Sequence, residues 1–250
     1  MVGNLEVSRL TTKMPGAVWI MAPLLEKVEP SGRVTWKKPS PWMPRSRSRP
    51  VSSVVPWVKT LDQFDFAFQP SIDEKRIKDL ATLRFVEQAD VLLFTGPPGV
   101  GKTHLAIGLG MEAIRAGYSV YFLTLSELAD QVPRERTDPK WVERLRVLSY
   151  PKLLIVDEVG YVPLDPVVSY FVFSLVCRRY EKGAMIWTSN KSFGDWASVF
   201  ARDEVLTAAI LDRLLHHGTV VNIRGRSHRL RDKLQAGTAY VGAVGANISP

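Results

Sequence analysis

Gly96-Pro-Pro-Gly-Val-Gly-Lys-Thr103 decides the fold. A glycine, four residues, then Gly-Lys-Thr form the phosphate-loop pattern when a strand precedes them and a helix follows. Both flanks have that character: Val91–Thr95 is a short apolar run, and residues 102–116 follow a helical pattern stopped by Gly117. Gly96, Gly99 and Gly101 let backbone N–H groups converge on phosphate oxygens, and the positive end of the following helix faces the same anion. Lys102 is expected to reach the β- and γ-phosphates, and Thr103 to place its hydroxyl on Mg²⁺. The nucleotide-binding set is thus Gly96, Pro97, Pro98, Gly99, Val100, Gly101, Lys102 and Thr103, joined by the next residue, His104. ATP and Mg²⁺ are the implied cofactors, and a merely connecting turn is the competing reading.

Working outward, strand-like and helical patterns alternate, which predicts an α/β fold, a parallel sheet flanked by helices. Strands are expected at 119–124, 152–156, 184–188 and 219–223. Helical segments are expected at 126–131, 138–148, 165–179, 195–200, 207–216 and 227–233. No internal repeat is visible.

Phosphoryl chemistry also needs a carboxylate to hold the metal and a group to activate water. Leu153-Leu-Ile-Val-Asp-Glu158 supplies both at a strand's end, 55 residues beyond Lys102. Asp157 is expected in the Mg²⁺ shell with Thr103, and Glu158, directed differently as the next residue, is the candidate base that polarises the attacking water. A solvated turn or helix cap would use the same two residues. Asn190, in Thr188-Ser-Asn190, stands where the sensor I residue stands in AAA+ ATPases, unless it serves only as a turn residue. Arg213 is a candidate arginine finger toward a neighbouring subunit, the alternative being a surface ion pair with Asp212 or Glu204. Arg229 is a candidate sensor II contact to the γ-phosphate of its own subunit. The histidines show no metal-ligand spacing with the single cysteine, and helix-end roles suffice for His216 and His217. No Gly-x-Ser-x-Gly elbow is present.

Composition bounds the rest. The 250 residues are 46% apolar and 23% charged, which suits a globular chain and argues against collagen, a disulfide scaffold or wholesale disorder. Cys177 has no internal partner and lies in an apolar stretch, so a buried thiol in a reducing cytoplasm is expected. No run long enough to span a membrane is present, and residues 1–22 lack the features of a signal peptide. The net charge of +8 is lopsided: ten basic and three acidic residues precede Leu61, leaving 23 and 22 in the remaining 190. Residues 1–58 also hold eight of the seventeen prolines and are expected to be an irregular Pro/Arg-rich extension. The ATPase domain is read as 59–234 and a flexible tail as 235–250. Arg224, Arg226, Arg229, Arg231 and Lys233 form a basic run suited to DNA phosphates, with a solvated helix face as the alternative.

From about residue 59 to 233 the chain resembles the IstB family, AAA+ ATPases that assist the transposases of bacterial insertion sequences and are relatives of the DnaC helicase loader. The resemblance rests on Lys59-Thr-Leu-Asp-Gln-Phe-Asp-Phe66, on the phosphate loop with His104-Leu-Ala106, on residues 154–160 and 188–190, and on Asp212-Arg-Leu-Leu-His-His-Gly-Thr219. It implies an ATP-dependent homo-oligomer that binds double-stranded DNA, helps select the target site and stimulates a cognate transposase. A DnaC-like helicase loader and a degraded family remnant are the alternatives. The first 55 residues depart from the family, which carries a small helical domain there.

Overall fold

The computed structural model describes residues 59–235 and, by backbone alone, four short strands between residues 19 and 54. In chain order the elements are β1 (Trp19–Ala22), β2 (Leu25–Val28), β3 (Val34–Trp36), β4 (Val51–Val54), α1 (Glu74–Leu80), α2 (Arg84–Glu87), β5 (Val91–Thr95), α3 (Lys102–Arg115) and β6 (Val120–Thr124). There follow α4 (Leu125–Gln131), α5 (Pro139–Ser149), β7 (Leu153–Val159), α6 (Pro166–Arg179), β8 (Ala184–Ser189), α7 (Glu204–His216), β9 (Gly218–Asn222) and α8 (His228–Gln235). Five strands, in the order β6-β7-β8-β5-β9, pair in parallel. β4 extends this sheet in parallel at Val54↔Tyr121, β1 joins β4 antiparallel, and β2 pairs with β3 separately.

The apolar runs of the central strands reflect coverage of both faces. Alternate residues of one strand enter different cores. Val91 and Leu93 of β5 pack with Trp141 and Leu148 of α5, Phe171 and Leu175 of α6 and Leu214 of α7. Leu92 and Phe94 pack on the other face with Ile77, Phe85, Leu105, Ile107 and Leu109 from α1, α2 and α3. β5 lies between β8 and β9, so its carboxyl end opens where the strand order reverses, the place at which open α/β sheets bind ligands.

Local signals set the helix starts. Asp138 and Asp165 cap α5 and α6 through the N–H groups of Lys140 and Val168, each ahead of a proline, and Asp203 caps α7 through Leu206 N–H. Thr124 and Glu127 form a capping box on α4.

The expected strands and helices after residue 90 are present, with shifts of a few residues at their ends, except that the segment expected at 195–200 is a 3-10 helix, Phe193–Ser198. The short helices α1 and α2 fall in a stretch for which the sequence pattern made no assignment. Two expectations are corrected. β7 continues to Val159 and therefore contains both carboxylates. Cys177, in the last turn of α6, is half-buried rather than buried. The four short strands before residue 58 cover few of the residues of that extension, where proline excludes helix but leaves extended backbone open; the rest of 1–58 and the tail beyond 235 lie outside the described residues. Among the described residues no helix is long and apolar enough to cross a membrane.

Candidate nucleotide-binding site

Helix α3 differs from the other long helices in how it begins. Where α5, α6 and α7 satisfy their first N–H groups with an aspartate, α3 starts from Gly101 with no side-chain cap. Its leading donors are thus left for an anion. Gly101 has φ 102°, and a Cβ there would meet Phe64 Cε2 at 2.5 Å, so only glycine suits both the turn and the packing.

Within this loop Lys102 is buried, and its Nζ donates to the carbonyl oxygens of Gly96 and Pro97, each at 2.7 Å. Burial lowers its pKa to about 8; Asp157 opposes that shift and Arg229 adds to it. Thr103 Oγ1 donates toward Asp157, 3.0 Å from each carboxylate oxygen. On the other side Asp157 accepts a short hydrogen bond from Thr188 Oγ1. Desolvation holds the Asp157 pKa above the usual carboxylate value despite these donors and Lys102.

The next residue is aimed by a backbone irregularity. β7 and β8 pair regularly to Val156↔Trp187, then resume at Val159↔Ser189, so β7 has one extra residue. Such a bulge re-aims side chains and occurs beside active sites. Glu158 has φ 62°, a strained value for a residue with a Cβ, and its N–H donates to Thr188 Oγ1 at 3.1 Å. Its carboxyl group is exposed to the cleft, with its pKa raised by desolvation and by Asp157. Asn190 lines the same cleft, and its Oδ1 is buried without a hydrogen-bond partner among the described residues. The neighbouring Gly160, at φ 109°, would place a Cβ 2.8 Å from that oxygen.

Two distant segments close the cleft. Residues 59–69 cross the start of α3: His104 Nε2 lies 2.8 Å from the Thr60 carbonyl oxygen, and Phe64 packs edge-on against the His104 ring. Burial lowers the His104 pKa, and it does the same to Lys59, with Arg229 adding to the effect. From the C-terminal side, His228 N–H donates to the Gly99 carbonyl at 3.0 Å, which brings Arg229 into the cleft wall. Arg231 is engaged with Asp65 at 3.1 Å and lies 4.2 Å from the centre of the Phe68 ring.

Lys102, Thr103, His104, Asp157, Glu158, Asn190 and Arg229 are thus brought together, with the loop residues 96–101 beneath them. Arg213 is elsewhere: it donates to the Ala209 carbonyl at 2.8 Å and lies 5.3 Å over the Phe173 ring, rather than on Asp212 or Glu204. Within the basic run Arg224, Arg226 and Arg229 are exposed, Arg229 at the cleft wall, while Arg231 is half-buried against Asp65; the Lys233 side chain lies outside those described. Thr188 is the functional group that the sequence pattern passed over in favour of Asn190. Its signal is a hydroxyl ending an otherwise apolar strand, legible only once β8 is known to lie beside β7.

A phosphate loop before an uncapped helix, a buried aspartate on the next strand but one, and the five-strand parallel order define an AAA+ P-loop protein. The chain belongs to the IstB-like ATP binding protein family, with a match over residues 44–236 that begins ahead of the expected boundary near residue 55. It is 50% identical over 181 residues to the ATP-binding protein of insertion sequence IS5376 from Geobacillus stearothermophilus, covering 72% of each chain. It is also 50% identical over 190 residues to that of insertion sequence IS21 from Pseudomonas aeruginosa, covering 76% of this chain and 71% of the relative. The crystal structure of the DnaC helicase loader shares the fold, with TM-score 0.51 and 22% identity over 67% of this chain and 97% of that one.

Proposed function

We propose that the protein hydrolyses ATP as the DNA-associated helper of a transposase. The observation that carries hydrolysis is the bulge beside Asp157 that leaves Glu158 lining the same cleft as the phosphate loop. In this reading Lys102 exchanges its two carbonyl partners for the β- and γ-phosphates. Thr103 and Asp157 offer the hydroxyl and carboxylate oxygens that suit Mg²⁺, whose chemistry when bound is to offset phosphate charge. Glu158 takes a proton from a water molecule as the oxygen of that water bonds the γ-phosphorus. The bond from that phosphorus to the β–γ bridging oxygen breaks, leaving ADP and phosphate. Asn190 orients the water, Arg229 contacts the γ-phosphate in cis, and Arg213 acts on the nucleotide of a neighbouring copy in a homo-oligomer.

Duplex DNA and a cognate transposase are the proposed partners, in keeping with relatives named for insertion sequences. The exposed Arg224 and Arg226 are offered to phosphates, which carry affinity but no sequence choice. ATPase rate against protein concentration, with and without duplex DNA, tests the whole reading. A rate rising faster than linearly and responding to DNA is expected. In the same assay Glu158→Gln should bind ATP but turn over about 10²–10⁴-fold more slowly. Retained turnover in that variant would remove Glu158 from the reaction, and a linear rate indifferent to DNA would remove the oligomer and the DNA from it.

A further inference from the structure

At the opposite end of the sheet from the phosphate loop, the C-terminal ends of α6 and α7 meet. β9 starts at Gly218, directly after His217, and pairs with Val91, the first residue of the strand that ends at the phosphate loop. Here Glu181 joins His216 and His217, all three exposed, and one ligand atom from each lies within 4.8 Å of the other two. No sequence spacing announces this set, because 35 residues separate the glutamate from the first histidine.

Four observations make the cluster more than a surface ion pair. Two imidazoles and one carboxylate are a donor set that Zn²⁺ accepts while keeping a position open. The Tyr180 hydroxyl lies 2.5 Å from His216 Nδ1, the outer contact that fixes the ring and tautomer of a metal-binding histidine. His217 Nε2 lies 3.3 Å from Glu181 Oε1, so this imidazole and carboxylate already face each other. Glu181 has φ 57° at the end of α6, where glycine or asparagine is the unstrained choice. The field agrees: two helices of 14 and 13 residues direct the negative ends of their dipoles here, which favours a cation.

We infer that Glu181, His216 and His217 form a binding site for a divalent transition metal of the Zn²⁺ type, with three protein ligands and at least one open coordination position. Bound metal would cross-link the ends of α6 and α7, the helices that carry Phe173 and Arg213. The site is separate from the nucleotide cleft and stands whether or not the ATPase reading holds.

The test is a Zn²⁺ titration of the full chain against a chromophoric chelator, with excess Mg²⁺ present so that Asp157 is not read as the site. Co²⁺ serves as the spectroscopic probe of geometry. One equivalent is expected, with the strong visible absorption of four-coordinate Co²⁺ and a Zn²⁺-dependent rise in Tm. Tyr180→Phe, which removes only the outer contact, should weaken binding by about 10–100-fold. His216→Ala/His217→Ala and, separately, Glu181→Gln should weaken it further and abolish the Co²⁺ band; all three side chains are exposed, so these variants fold. Equal Zn²⁺ affinity in the double variant, or no uptake by the unaltered chain, overturns the site.

Discussion

Two buried cations, Lys102 and Arg179, both spend their hydrogen bonds on backbone carbonyl oxygens, and the contrast between them separates function from architecture. Lys102 holds two carbonyls of its own loop, beside the carboxylate of Asp157 and at the wall of a cleft. Its partners are local and replaceable, so an incoming phosphate can take their place. Arg179 is 1% exposed and donates to Leu148, Pro151, Lys152 and Ala184 at 3.0, 2.9, 3.3 and 2.7 Å. These carbonyls lie at the end of α5, the approach to β7 and the start of β8, so one guanidinium fastens three segments. Gly183 completes the enclosure, since a Cβ there would lie 2.7 Å from an Arg179 nitrogen. A planar fork with five donors suits that ring of acceptors, and a lysine could not replace it.

The contrast breaks most sharply on Lys102→Ala. Charge-assisted bonds carry about 1.5–3 kcal/mol each, so loss of two to phosphate should weaken ATP binding about 100-fold or more while Tm barely moves. Calorimetric titration with ATP checks this, and unaltered affinity would return Lys102 to a structural role. Arg179→Met should do the reverse. Orphaned buried acceptors cost about 1–3 kcal/mol each, so a loss of about 3–5 kcal/mol is expected, a fall of about 10 °C in Tm. ATP affinity should be kept below the transition, and a Tm within a degree or two of the parent would mean that water replaces the guanidinium.

Thr188→Val sits between the two cases, because Thr188 both supports Asp157 and receives Glu158 N–H. A stability loss of about 1–3 kcal/mol is expected, together with a drop in turnover that exceeds any change in ATP affinity. Equal turnover would show that Glu158 keeps its aim without this anchor.

The smallest effect is the pH dependence. Burial lowers the pKa of Lys102 to about 8 from the ordinary lysine value of 10.5. Between those values the unfolded chain keeps a proton that the folded chain has lost, so stability rises with pH across that window. ATP affinity should fall over the same range, because the phosphates lose a charged partner. Lys102→Met should reduce both slopes, leaving only the contribution of Lys59, whose pKa burial also lowers. Arg179, lowered only to about 10, contributes nothing near pH 8, so unchanged slopes in Lys102→Met there would contradict the assignment.

The phosphate loop, Asp157 and Glu158 were legible because their chemistry requires fixed residues at fixed local spacing. The alternating patterns gave the α/β class for the same reason. Thr188 was not legible beside Asn190, since its contacts to Asp157 and Glu158 depend on a bulge in the strand alongside. The charge of Arg231 is visible in sequence, while its partners Asp65 and Phe68 lie more than 160 residues away and are not.

The amino-acid sequence by itself therefore determined the phosphate-loop pattern, the pair of carboxylates at the end of an apolar strand and the alternation of strands and helices, all set by interactions within a few residues. Only the tertiary structure decided that Thr188 anchors both carboxylate residues, that residues 59–69 and Arg229 close the cleft, that Arg179 holds three segments together and that Glu181 meets His216 and His217. The physical reason is the parallel sheet. Each crossover returns the chain to the same edge, so residues dozens of positions apart become neighbours through strand order and register, which no local spacing encodes.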